Sequence, residues 1–209
     1  MSHGTTGETG ELDARAGYFA ELAPRWDTGG QDPAATVDRL AQLRDLLGLE
    51  HGIDLLEVGC GTGQITGWLA DQVAPGRVVA VDFAEAMLEC ARRKVTTAEF
   101  RFADVCSTDL GERCFDVALC FHSFPHFRDQ GAAAINLAAA LRPGGRLLVM
   151  HLASRAEINA FHDQVGGAVS GDHLPAPTEW ETLLPQAGLR LTDYQDREGL
   201  FFLAAVKPA

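Results

Sequence analysis

Basic residues are in short supply. The 209-residue chain has 17 Lys and Arg against 29 Asp and Glu, a formal net charge of −12, and no basic run. Nucleic-acid binders draw most of their affinity from Lys and Arg facing phosphates, so neither DNA nor RNA is expected as a partner. Cysteine is scarce too. Cys60, Cys90, Cys106, Cys114 and Cys120 make an odd count with no C-x-x-C spacing, which argues against a disulfide framework and a zinc knuckle. They are expected as small hydrophobes of a reduced protein. No apolar run approaches the roughly 18 residues a membrane helix needs. Met1 to Asp13 is polar and Gly/Thr-rich, without the basic start and apolar stretch of a secretory signal. Residues 1–13 are therefore expected as a flexible lead-in, and the protein as cytoplasmic, with no membrane partner. No repeat or low-complexity tract interrupts the remainder, and residues 14–209 suit one domain with a sizeable core.

What is present alternates between two apolar periods. Val37, Leu40, Leu43 and Leu47 recur at helical spacing and stop at Gly48. Asp54 to Val58 is a short apolar run ending in glycines and reads as a buried strand. Ile65, Trp68, Leu69 and Val73 repeat helically up to Pro75-Gly76. Arg77 to Val81, Glu99 to Phe102, Phe115 to Phe121 and Arg146 to Leu152 read as further strands, with helices over Glu85 to Lys94 and Ala132 to Leu141 between them. Thr178 with Glu181 suggests a capping box for a late helix ending near Gly188. Leu189 to Asp196 and Leu200 to Lys207 then follow as strands without an intervening helix, so they pair antiparallel. The pattern predicts an α/β fold with a doubly wound sheet of seven strands, mostly parallel, with a C-terminal antiparallel pair. Residues 153–177 show little periodicity, and a stretch that long is usually functional or mobile. It is expected to be a lid.

Ligands of open parallel sheets bind beyond the carboxyl ends of the strands. Here Glu57-Val58 is followed at once by Gly59, Gly61 and Gly63. The dinucleotide fingerprint G-x-G-x-x-G asks for glycine at position 64, where the chain has Gln64, and this speaks against a nicotinamide oxidoreductase. Leu56-Glu57-Val58-Gly59-Cys60-Gly61-Thr62-Gly63 instead resembles the cofactor loop of class I S-adenosylmethionine-dependent methyltransferases, a Rossmann-like family. The resemblance continues through Arg77 to Asp82, Phe102-Ala103-Asp104-Val105, Phe115 to Phe121 and Leu141-Arg142-Pro143-Gly144-Gly145-Arg146. The segment from Tyr18 to Asp27 is similar to one in quinone C-methyltransferases that closes over the cofactor.

The resemblance implies methyl transfer from S-adenosylmethionine to a small-molecule acceptor. It assigns Asp82 to both ribose hydroxyls and Asp104 to the adenine amino group. Tyr18, Glu57, Gly59, Gly61, Gly63, Phe83, Met87, Val105 and Phe121 are the other expected cofactor contacts, with Met87 either on the adenine face or in the core. The three acids could instead be ordinary surface carboxylates. Ala84 stands where many relatives carry a helix-capping serine, a loss of roughly 1 kcal/mol. His122-Ser123-Phe124-Pro125 replaces the Asn-Pro-Pro-Tyr-like motif of relatives that methylate amino groups of nucleic acids or glutamine. A cofactor-binding regulatory module without catalysis is the other reading of the same loop.

Five of the seven histidines, His122, His126, His151, His162 and His173, fall after the fourth strand. Three readings of them stand. They are scattered polar residues; or His122, His151 and His126 supply a general base and its orienter beside the acceptor; or all five build a divalent transition-metal site. No ordered ligand spacing such as H-E-x-x-H supports the last.

Overall fold

The computed structural model describes residues 6–29 and 32–209. Seven strands form one sheet in the order β3-β2-β1-β4-β5-β7-β6: β1 Leu55–Val58, β2 Val78–Asp82, β3 Glu99–Phe102, β4 Phe115–Phe121, β5 Leu141–His151, β6 Arg190–Arg197 and β7 Leu200–Val206. The first five run parallel. Strand β7 inserts antiparallel between β5 and β6, as the missing crossover demanded. The strand order therefore reverses between β1 and β4, and the glycine turn after β1 sits at that switch point.

Helices cover both faces: α1 Thr6–Leu22, α2 Pro33–Gln42, α3 Arg44–Leu47, α4 Thr66–Val73, α5 Glu85–Lys94, α6 Gln130–Ala140, α7 Arg155–Val165 and α8 Pro177–Gln186. Period-two alternation decides which residues meet which helices. Leu56, Val58, Ala118 and Cys120 enter one core with Ala133, Leu137, Trp180 and Leu184 of α6 and α8. Leu55, Val117 and Leu119 enter the other with Leu40, Leu47, Leu69 and Val73 of α2, α3 and α4. Each such side chain removed from water contributes about 1.5–3 kcal/mol before entropy is counted. All five cysteines are free, Cys60 and Cys120 buried. No helix among the described residues is long and apolar enough to cross a membrane.

Three local expectations change. The lead-in was expected to run to residue 13, but α1 begins at Thr6; residues 1–5 lie outside the described ones. The segment 153–177 is not periodicity-free backbone. Ser154 caps α7 in a capping box, its Oγ accepting from Glu157 N while Glu157 Oε2 accepts from Ser154 N at 2.7 Å, and Asn159 holds the returning chain through Leu174 N at 2.8 Å. The late helix starts at Pro177, one residue before Thr178. Its backbone cap is Glu179, which accepts from Ala176 N at 2.6 Å, so Thr178 and Glu181 form no box.

Candidate functional site

The carboxyl ends of β1 and β2 carry the first part of the site. Gly59 turns the chain with φ +70°, and a Cβ there would lie 2.4 Å from Ser123 Cβ, so only glycine fits. Ser123 is fixed from the other side, its Oγ donating to Val58 O at 2.5 Å. Asp82, at the end of β2, is 7% exposed. Its Oδ2 accepts from Gly61 N at 2.8 Å and its Oδ1 from Ala84 N at 2.9 Å. The same bond explains how α5 starts without a side-chain cap at Ala84. Burial pushes the Asp82 carboxyl up to about 6, against the backbone N–H bonds that favour its charge. Each Asp82 oxygen keeps a second lone pair for a ligand hydroxyl. Phe83, Met87 and Val105 line the same cleft with apolar surface, beside Gly59, Gly61 and Asp104. An acceptor for a diol, apolar walls for a flat ring and a glycine turn without side chains fit an adenosyl group.

Four expected contacts, Tyr18, Glu57, Gly63 and Phe121, are not among the cleft's lining residues. Glu57 and Phe121 share the opposite face of the sheet from Val58, because they alternate with it in register: Val58 pairs with Cys120, and Glu57 with Leu119. Glu57 is 2% exposed, and its Oε2 has no hydrogen-bond partner among the described residues. Burial, and secondarily the charge of Asp82, push its carboxyl up to about 8. Phe121 packs with the α2–α4 core. Gly63 shapes the turn with φ +75°, and a Cβ there would lie 3.1 Å from Ala91 Cβ. Asp104 does line the cleft, but its Oδ1 accepts from Cys106 N, and its Oδ2 from Ser107 Oγ and Arg128. One acceptor position, on Oδ1, is left for an adenine amino group.

The resemblance pointed to the segment from Tyr18 to Asp27, but Arg15, Phe19 and Trp26, which line the cleft, were not among the expected site residues. Phe19 stands edge-on to Phe83 with ring centroids 5.7 Å apart. Asp27 anchors the segment on the glycine loop and α5, accepting from Thr62 Oγ1 at 2.5 Å, Gln64 Nε2 at 3.1 Å and Lys94 Nζ at 2.5 Å. With these rings in place the cleft holds about 70 Å³, well below the roughly 300–1,000 Å³ of typical ligand pockets. The i, i+4 spacing of Arg15 and Phe19 and the i, i+3 step to Leu22 carried the available signal.

A second cavity of about 840 Å³ adjoins the cleft, sharing Phe19, Trp26, His122 and His126 with it. Tyr18, Ile158 and Phe161 line it, together with His151 and His162. His122 follows β4 with φ +53°, a left-handed conformation that costs a non-glycine residue energy and often marks a functional position. Its Nε2 accepts from Leu152 N at 3.2 Å, so the proton of the neutral ring is on Nδ1. Burial pushes the His122 imidazole down to about 4. His151, at the end of β5, is 1% exposed, and neither ring nitrogen has a partner among the described residues. Burial, then the neighbouring histidines, hold it well below the ordinary histidine range. His126 Nδ1 lies 2.8 Å from Asp172 Oδ2.

Residues 56–149 match a family model described as a methyltransferase domain. Over 93% of its length the chain is 30% identical to an O-methyltransferase of Penicillium expansum, covering 76% of that protein. Over 81% of its length it is 28% identical to the demethylmenaquinone methyltransferase of Thermus thermophilus, covering 90% of it. It spans about half the length of several other curated relatives it matches. Among solved structures, it resembles a SAM-dependent methyltransferase from Aquifex aeolicus with a TM-score of 0.68 at 19% identity, over 92% of this chain and 98% of that one. The chain belongs to the class I S-adenosylmethionine-dependent methyltransferases.

In this methyltransferase the five-histidine metal site is not assembled. His173 pairs with Asp163 at 2.8 Å, both exposed. His126 is committed to Asp172, and Nε2 of His122 to the Leu152 N–H. Among the described residues no three His, Cys, Asp or Glu side chains converge to hold a metal ion. The described residues do not fit a resident metal. The family also removes the nicotinamide and non-catalytic readings of the glycine loop.

Proposed function

We propose that this methyltransferase transfers a methyl group to a hydroxyl oxygen of a small, largely apolar molecule. The observation that carries the reading is the 840 Å³ cavity beside the Asp82 cleft. Its walls are mostly aromatic and aliphatic, and four imidazoles are its main polar groups, with Arg25 and Glu157 also among the lining residues. Such a cavity favours a neutral acceptor with few polar groups, positioned by hydrogen bonds from His122 Nδ1 and from His151. Relatives named O-methyltransferases support oxygen as the acceptor atom.

In this reading Asp82 holds the ribose diol, Phe83, Met87 and Val105 hold the adenine ring, and Asp104 meets its amino group through Oδ1. Gly59 and Gly61 let the cofactor approach the backbone, while Glu57 and Gly63 shape the loop from beneath. Tyr18, Phe19 and Trp26 close over the site, and 153–177 acts as a lid through α7. S-adenosylmethionine, when bound, supplies an electrophilic methyl group and a neutral thioether leaving group. The protein orients the acceptor oxygen, excludes water and takes the proton. Orientation alone can contribute several kcal/mol. A carbon acceptor is the second reading, favoured by the Tyr18–Asp27 segment and the demethylmenaquinone relative.

The test is to incubate the protein with [methyl-¹³C]S-adenosylmethionine and a panel of phenols, enols and hydroxyquinones, and to read the product by ¹³C NMR. A labelled methoxy carbon is expected. Label on ring carbon would replace oxygen with carbon, and no labelled product from any hydroxylated acceptor would reject the reading.

A further inference from the structure

We propose that Asp172 is a positioning residue: held by Arg15, it fixes the His126 ring so that its Nε2 takes the acceptor's proton. This rests on the hydroxyl-acceptor reading of the cavity. The Asp172 carboxylate is 3% exposed. Arg15 meets it bidentately, at 2.7 Å to Oδ2 and 2.6 Å to Oδ1, and Arg15 also donates to His126 O at 3.3 Å. The bonds from His126 and Arg15 outweigh burial and hold Asp172 below its ordinary range, so it is an ionised acceptor. Its bond to His126 at 2.8 Å therefore requires the proton on Nδ1, and the neutral ring keeps its lone pair on Nε2.

Geometry separates His126 from the other candidates. His126 borders both the cleft and the larger cavity, the junction where acceptor and methyl group must meet. His122 borders both as well, but its Nε2 lone pair is taken by the Leu152 N–H, so its remaining nitrogen donates and cannot accept a proton. His151 and His162 border the larger cavity and not the cleft. The groups around His126 are Arg15 and Phe19 of α1, Asp172, His162 of α7 with ring centroids 4.8 Å away, His122, His151 and Asp82. Arg15 already balances the Asp172 charge. Asp172 therefore serves His126 chiefly by setting its tautomer and orientation. In the reaction the acceptor oxygen forms the new C–O bond with a lone pair, the C–S pair departs with the sulfur, and the O–H proton goes to His126 Nε2. The imidazolium then returns that proton to solvent.

The arrangement joins three separate parts of the chain. Arg15 comes from the N-terminal helix, His126 from the turn after β4, and Asp172 from the end of the 153–177 segment. The base is complete only when the N-terminal helix and that segment are both docked.

The experiment uses the full chain with Asp172→Asn and His126→Asn. The ¹⁵N spectrum of His126, recorded without cofactor or acceptor and above the pH at which free imidazole titrates, should show the Nδ1–H tautomer in wild type and lose it in Asp172→Asn. With a hydroxyl acceptor, Asp172→Asn should lower kcat by roughly 10²-fold or more and leave acceptor KM near wild type. The loss should shrink for phenols acidic enough to be ionised at the assay pH, since they need no base. His126→Asn keeps a donor for Asp172, so it should melt near wild type and lose kcat by roughly 10²–10⁴-fold. It tests the base even if Asp172→Asn fails to fold. An unchanged His126 tautomer, a loss equal across acceptors of different acidity, or full activity in His126→Asn would overturn the proposal. The tautomer arm needs no substrate. A chain that methylates no hydroxyl would therefore reject the acceptor reading separately from the Asp172–His126 pairing.

Discussion

Glu57 gives the clearest quantitative handle on the buried electrostatics. Its carboxyl lies under the glycine loop with no partner on Oε2 among the described residues, and burial raises it from an ordinary 4.5 to about 8. At neutral pH the folded protein keeps this proton, while the unfolded chain has released it. The stability this lends is fully present below about 4.5 and is lost as the pH rises through about 8. Integrating the linkage relation between pH 7 and 8, with 1.36 kcal/mol per full proton per pH unit, gives a loss of roughly 1 kcal/mol in wild type. Glutamine is nearly isosteric with a protonated carboxyl and does not titrate. Glu57→Gln should therefore unfold within about 1 kcal/mol of wild type at pH 7, without the fall to pH 8. Urea denaturation of both proteins at several pH values measures this, and their difference cancels titrations they share, including those of His122 and His151. A loss of several kcal/mol in Glu57→Gln at pH 7, or equal slopes in the two proteins, would show that Glu57 is ionised in the fold.

Gly59→Ala combines a left-handed φ with a Cβ 2.4 Å from Ser123 Cβ, so thermal or urea denaturation should show a loss of about 2–4 kcal/mol; a neutral result would mean the turn yields freely. Amide exchange should find α7 and the 166–174 segment less protected than β1 and β4, and more protected once S-adenosylhomocysteine and an acceptor are bound. Full protection without ligand, unchanged on adding it, would remove the lid.

The strands and the turn after β1 were legible because their signals are local: apolar runs, period-two alternation and glycine spacing. The same alternation, followed one residue further, would have moved Glu57 and Phe121 off the cleft, since Val58 and Cys120 occupy the other face. Helix α7 carried the signature Ser154-x-x-Glu157, but its inner side faces a cavity through Ile158 and Phe161 and a buried His162, which blurs the apolar stripe a core-facing helix displays. Of the five histidines, His122, His126, His151 and His162 line the larger cavity and His173 does not, and their roles were not legible. Whether an imidazole accepts or donates was decided by a backbone N–H for His122 and by a carboxylate for His126. The Arg15–Asp172 pair spans 157 residues of sequence, and no local pattern announces such a contact.

The proposed function requires the cleft at the ends of β1 and β2 to bind S-adenosylmethionine through Asp82. Calorimetric titration of S-adenosylhomocysteine into wild type and Asp82→Ala at pH 7.5 tests it most directly, with circular dichroism to check that the variant is folded. Micromolar binding is expected in wild type, weakened by roughly 1.5–3 kcal/mol in the variant, because a carboxylate accepting two hydroxyls makes charge-assisted bonds. Wild-type affinity should also fall as the pH drops through about 6, where Asp82 takes up a proton. Equal affinity in a folded Asp82→Ala protein, or no binding to wild type, would contradict the account.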